Sequence, residues 1–255
     1  MPFVNPPIVS LRDVGKTFDN GTVALDGLSL DIRDGEFVSL LGPSGCGKST
    51  ALRIVAGLNT ASSGTVACAG GGVGDIGFVF QEPTLLPWAD VAANVRLPLK
   101  LSHADAAAAD AAVAKALAGV GLAAFAHSYP RELSGGMKMR ASIARALVTG
   151  PQLLLMDEPF AALDEITRFR LNDDLLALWR ALRQTVVFVT HSVFESVYLS
   201  QRIVVMTPRP GRVFTEIVID APYPRDERFR TSADYAAHCR TVSDALSAAL
   251  AGAAA

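Results

Sequence analysis

The nine residues Gly42-Pro43-Ser44-Gly45-Cys46-Gly47-Lys48-Ser49-Thr50 constrain this chain more than any other stretch. They fit G-x-x-x-x-G-K-[ST], follow the apolar run Phe37–Leu41 and open a helix expected over Ser49–Ala56. Gly42, Gly45 and Gly47 let successive backbone N–H groups turn inward on an anion. The helix start adds the positive end of its dipole. Lys48 places a point charge for the β- and γ-phosphates of a nucleotide, and the Ser49 hydroxyl is suited to Mg²⁺. Cys46 reads as a tolerated loop residue rather than a nucleophile or a metal ligand.

Short apolar runs recur at Ile8–Leu11, Ala24–Ile32, Gly77–Phe80, Gln152–Met156, Thr185–Thr190 and Arg202–Met206. Several are continuous rather than alternating, as strands covered on both faces are. Helical stretches between them imply a largely parallel sheet with helices on both faces. The turn signals Asp19-Asn20-Gly21 and Arg33-Asp34-Gly35 leave no room for a crossover helix, so the first strands should form an antiparallel layer. Arg202 to Asp220 reads as a hairpin turning at Pro210-Gly211. Between Val91 and Leu147 the strands stop, and the alanine-rich Ala104–Gly119 predicts a helix. The fold class expected is therefore α/β, with an antiparallel β layer and a helical subdomain, about residues 90–147, inserted in a domain of residues 1–220. Residues 221–255 read as a helical, partly mobile extension: a packing strap or a loose end, the strap being preferred.

Length and composition narrow the function. A chain of 255 residues with half of them hydrophobic can bury a substantial core. A formal net charge of −2 gives no footprint for nucleic acid or anionic lipid. Cys46, Cys68 and Cys239 are scattered, which fits a reducing compartment and argues against a disulfide framework. The start MPFVNPPIVS is unlike a signal peptide, and runs such as Leu153–Met156 are far short of the roughly 18 apolar residues of a spanning helix. The chain is expected to be soluble, with any membrane link made through a partner.

Leu153–Met156 ends in two carboxylates, Asp157 and Glu158. Beside a phosphate loop, the first suits the water shell of Mg²⁺ and the second suits polarising an attacking water. An acid in Glu158's position indicates hydrolysis rather than transfer to an acceptor. His191 follows the run Thr185–Thr190, at the strand end where such sheets meet their ligands. It could bond the γ-phosphate and steady Glu158; taken alone it reads as a surface histidine. His103, His127 and His238 lack such a context.

Together these residues resemble the ATP-binding subunits of ABC transporters, over about Ile8 to Asp220. Leu133-Ser134-Gly135-Gly136-Met137 looks like the signature motif, Gln81 like the Q-loop glutamine, Ala161-Ala162-Leu163-Asp164 like the D-loop and His191 like the switch histidine. Phe18 falls where an aromatic stacks on adenine. The resemblance implies a RecA-like P-loop fold, ATP and Mg²⁺ as cofactors, and hydrolysis of ATP to ADP and phosphate. Lys48, Gln81, Glu158 and His191 would serve catalysis, and Ser49, Gln81 and Asp157 the metal. Gly42 to Thr50, Phe18, Asp164 and the trans Ser134, Gly135 and Gly136 would hold nucleotide. It implies head-to-tail pairing, with a second copy or a paralogue, in which each signature helix start caps the other copy's ATP. ATP would close the dimer, and hydrolysis with phosphate release would open it.

The resemblance also implies permease subunits as partners, a groove for them built from Gln81 to Asn94, and indirectly a secreted solute-binding protein. The location implied is cytoplasmic, on the inner face of the cell membrane. Pro83–Trp88 reads equally as part of that groove and as a staple beneath the subdomain. Met137 replaces the usual signature glutamine and Met139 stands near where a second is common, which removes one side-chain contact to the trans ribose. Gln81-Glu82-Pro83, Leu85-Leu86-Pro87-Trp88 and the run Met156–Asp164 look like the nitrate, sulfonate and taurine importer branch, which also serves thiamine-pyrimidine precursors. The competing readings are a soluble ABC-type ATPase of cofactor assembly or repair, a non-hydrolysing nucleotide-binding regulator, and an exporter ATPase. The absence of a long heptad insertion counts against the repair members of the first and leaves cofactor assembly open, the pair Glu158 and His191 counts against the second, and the Gln81–Trp88 segment counts against the third.

Overall fold

The computed structural model describes residues 7–68 and 75–252. In chain order the elements are β1 (Pro7–Thr17), β2 (Val23–Arg33), β3 (Phe37–Leu41), α1 (Lys48–Val55), β4 (Ser63–Cys68), β5 (Ile76–Val79), α2 (Val91–Leu101), α3 (Ala106–Gly119), α4 (Gly135–Leu147), β6 (Leu153–Asp157), α5 (Glu165–Leu182), β7 (Thr185–Thr190), α6 (Val193–Leu199), β8 (Arg202–Met206), β9 (Val213–Val218), α7 (Glu227–Arg230) and α8 (Ala233–Gly252). They fall into two compact units. One joins the residues up to 68 with those from Thr185 onward; the other holds residues 75–184.

The first unit contains an antiparallel layer in the order β2-β1-β4 and a parallel group in which β3 lies between β7 and β8. Every residue of β3, β7 and β8 is buried, which accounts for predominantly apolar runs that do not alternate with exposed polar residues. Strand β9 returns antiparallel to β8 through Pro210-Gly211, as the sequence indicates. The apolar runs do not mark strand β4: Ser63, Gly64 and Thr65 are small or polar, and Val66, though apolar, is exposed.

Two buried arginines hold this unit together. Arg202 donates to both carboxylate oxygens of Glu36 (2.6 and 2.8 Å), to Glu216 (2.6 Å) and to the Asp31 carbonyl (2.6 Å). Arg225 donates to the carbonyls of Val197, Tyr198 and Ser200 at 2.8–3.0 Å, and to those of Ala221 (3.1 Å) and Ile219 (3.4 Å). It thereby caps the C-terminal end of α6, where a positive charge complements the helix dipole. Burial pushes its pKa below the usual arginine value. The Tyr223 ring lies under the guanidinium at 4.2 Å, and Tyr235 donates to the Phe194 carbonyl at 2.9 Å. Residues 221–252 therefore pack as a strap on α6; the final alanines fall outside the described residues.

The second unit pairs β5 and β6 in parallel and packs α2, α3 and α4 against one another. Helix α3 starts two residues later than Ala104, because Asp105 caps it by accepting from the Ala108 N–H at 3.0 Å. Ala109, Val113 and Leu117 form its buried stripe.

Candidate active site

Strand β3 leaves the sheet at Leu41 and turns through Gly42–Gly47 into α1. Gly45 (φ +75°) and Gly47 (φ +108°) occupy backbone that side chains oppose. Packing also requires glycine at 47: a Cβ there would stand 2.6 Å from the Ala24 carbonyl oxygen. Lys48 is 3% exposed, and its ammonium donates to the carbonyls of Gly42 (2.8 Å) and Pro43 (2.9 Å). The side chain thus folds back over the loop. Ser49 and Thr50 occupy the first turn of α1, and Gly47 caps it with no side chain in the way of an anion.

The parallel register sets Leu41 beside Thr190. Gly42 and His191 therefore leave the sheet side by side, at the carboxyl ends of the strands, where ligands of such sheets bind. His191 is exposed on a turn fixed by its neighbours. Thr190 Oγ1 donates to the buried Glu195 carboxylate (2.5 Å) and accepts from the Ser192 N–H (3.0 Å). Phe18 is exposed two residues beyond the Lys16–Leu25 pair, and the Leu25 side chain would lie 2.8 Å from a Cβ on Gly47.

In the second unit the register sets Val79 beside Met156, so Gln81 and Glu158 both lie two residues past one strand pair. Asp157, 5% exposed, ends β6. Glu158 has φ +45°, a conformation that costs a residue with a Cβ about 1–3 kcal/mol and persists only where the surroundings impose it. Ser134 caps α4, accepting from the Met137 N–H at 3.3 Å. A Cβ on Gly136 would stand 2.8 Å from Thr167 Cγ2, and one on Gly135 would stand 3.3 Å from Leu163 Cδ2. The start of α4 therefore abuts the start of α5, where Asp164 accepts from the Thr167 N–H at 2.9 Å. That hydrogen bonding holds the Asp164 carboxyl below the usual range. Met139 is 2% exposed and belongs to the core of its unit, so its departure from glutamine is a matter of packing.

Two residues of this unit escaped the sequence reading as tethers. Arg145 on α4 donates to the carbonyls of Pro83 (2.8 Å) and Thr84 (2.8 Å) and to Thr84 Oγ1 (2.9 Å). It ties the segment after Gln81 to the helix that Ser134 begins, and burial lowers its pKa. Asn94, fully buried, accepts from the Leu86 N–H and donates to the carbonyls of Leu86, Ala89 and Asp90. It staples the loop from within while Trp88 remains 75% exposed.

A family model described as ABC transporter matches residues 25–161. A Brucella abortus protein named as ATP-binding is 46% identical over 240 residues, 91% of this chain and 90% of that protein. The chain belongs to the ABC transporter family. A second relative, the aliphatic sulfonates import ATP-binding protein SsuB 2 of Burkholderia cenocepacia, is 43% identical over 229 residues, 88% of this chain and 83% of that one. An ATP-binding cassette solved as a dimer in a post-hydrolysis state with ADP and Pi superposes with a TM-score of 0.73. It is 33% identical, over 84% of this chain and all of that one. The protein is thus an ATP-binding subunit of the ABC type with the P-loop α/β fold, and an ATP hydrolase. The order of its ABC motifs along the chain is the order of the strand ends and helix starts described above.

Proposed function

We propose that this ABC subunit hydrolyses ATP to drive import of a small solute through separate membrane permease subunits. The observation that carries the reading is 43% identity, across 88% of the chain, to a protein named for aliphatic sulfonate import. The solute class is that of nitrate, sulfonates and taurine in preference to thiamine-pyrimidine precursors. A secreted solute-binding protein would deliver it. Among the described residues no helix is long and apolar enough to cross a membrane, so attachment to the inner face of the membrane would run through the permease. A cleft of about 580 Å³ lined by Phe78, Leu97, Leu101 and Arg145, with Trp88 exposed on the adjoining loop, supports a docking groove on the second unit. Residues 1–220 form the ATP-binding domain, with the helical subdomain at about 90–147, and residues 221–255 an extension.

The roles follow from residue chemistry. The amides of Gly42–Thr50 and the ammonium of Lys48 bind the phosphates, and Phe18 stacks on the base. Ser49, Asp157 and Gln81 offer a hydroxyl, a carboxylate and an amide oxygen. Each is a hard oxygen donor of the kind Mg²⁺ takes, and the ion they would hold would supply neutralisation of phosphate charge. Glu158 orients and polarises the attacking water, held off its relaxed backbone conformation, and His191 bonds the γ-phosphate. Ser134, Gly135 and Gly136 of a second copy, with Asp164 beside them, roof the nucleotide. The dimeric relative supports that pairing.

The test is reconstitution of the full chain with its co-encoded permease and solute-binding protein in vesicles. ATP-dependent uptake of taurine or ethanesulfonate is expected, and Glu158→Gln should abolish it while trapping an ATP-bound dimer. Phosphate release that no permease stimulates, with no uptake of any oxyanion, would refute the importer reading.

A further inference from the structure

The β8–β9 turn, residues 207–212, backs the phosphate loop from outside. Arg209 Nε donates to the Gly45 carbonyl at 3.1 Å. Gly211 sits so close that a Cβ there would stand 2.1 Å from the Cys46 carbonyl oxygen. Its N–H donates to the Ala24 carbonyl at 2.9 Å, the same oxygen against which Gly47 packs. At the start of the turn, the Met206 carbonyl would lie 3.2 Å from a Cβ on Gly42. The turn is itself rigid. Thr207 Oγ1 donates to the Pro210 carbonyl (3.0 Å) and accepts from the Arg212 N–H (3.0 Å), and Arg212 pairs with Asp26. Gly42, Gly45, Cys46 and Gly47 are therefore all held from behind.

We propose that Arg209 is a positioning residue for nucleotide binding, acting through the peptide that joins Gly45 to Cys46. The guanidinium sits on the oxygen of that peptide, and the N–H of Cys46 lies on its opposite side. A charged donor on the oxygen draws electron density across the plane, which makes the N–H a stronger donor toward phosphate. It also holds Gly45 at φ +75°, a left-handed turn of the kind that sends successive amides inward. The Cys46 N–H reaches the Pro43 carbonyl at a long 3.3 Å. This inference rests on the reading that residues 42–50 hold the phosphates.

The experiment compares the full chain with Arg209→Ala, Arg209→Lys and Lys48→Ala for MgATP and MgADP binding, KM, kcat and Tm. Arg209 is exposed, so its effect lies at the low end for a charged hydrogen bond: Arg209→Ala should weaken ATP and ADP alike, by about fivefold. Both should suffer because a loop of this type cradles phosphates common to the two nucleotides. KM should rise by the same factor with kcat at saturation and Tm unchanged, and Arg209→Lys should restore most of the affinity. Unaltered affinity in Arg209→Ala, or a loss confined to ATP that assigns a direct γ-phosphate contact, would overturn the proposal. Lys48→Ala separates the two readings: if it binds ATP normally, the site assignment itself fails.

Discussion

Arg225 can be tested by removing its charge in steps. Its guanidinium, in a residue only 4% exposed, serves five backbone carbonyls, three of them at the end of α6. Leaving one buried acceptor unsatisfied costs about 1–3 kcal/mol, so three helix-end carbonyls set a gross loss of several kcal/mol. Two effects oppose that loss: the buried charge no longer has to be desolvated, and water can follow alanine into the space. We expect Arg225→Ala to lose about 3 kcal/mol of unfolding free energy. Arg225→Met fills the space and bars water, so it should cost about 1 kcal/mol more than alanine. Arg225→Lys keeps a charge but not the fork, and should lie between alanine and wild type. Urea unfolding followed by circular dichroism gives the three values, and hydrogen exchange at residues 193–200 shows where protection is lost. If Arg225→Met matched wild type within about 1 kcal/mol, the arginine would be filling volume and the capping argument would be wrong.

Two further outcomes follow from the structure. Arg202→Met strands Glu36, which is fully buried, and should destabilise by about 3–5 kcal/mol, whereas Arg202→Met with Glu36→Leu should recover most of it; equal melting of single and double variants would deny the coupling. Asp164 titrates below its ordinary value in the folded chain, so its capping contribution is complete above about pH 4 and is lost as pH falls through the lowered value. The protection factor of the Thr167 amide should drop as pH falls below the ordinary aspartate range in wild type but not in Asp164→Asn, whose cap does not titrate; parallel behaviour would remove the charge from the argument.

Much of the architecture was legible because burial leaves its mark on composition. Strands β3, β7 and β8 are apolar at nearly every position, since both faces are covered, and Gly47-Lys48-Ser49 at the end of such a strand has few other uses. Strand β4 was hidden because its stability comes from backbone pairing to β1 with little apolar surface buried. The three arginines 145, 209 and 225 were hidden for a different reason. Apart from Thr84 Oγ1, the partners named for them are backbone carbonyl groups, which every residue has, so no side-chain pattern announces them. The strain at Glu158 is equally silent, being a property of the turn and not of the residue type.

The order of synthesis bears on how the phosphate cradle is assembled. Strand β3 and its loop emerge from the ribosome early, yet the strands that flank β3 begin only at Thr185 and Arg202, and the turn behind the loop ends at Arg212. For most of translation the apolar strand has bare edges of the kind that recruit other chains. The contiguous stretch 75–184 can mature meanwhile, but the unit that carries Lys48 must wait for the last fifth of the polypeptide. A nascent chain that stalls before then would expose its stickiest strand with no nucleotide pocket to stabilise it.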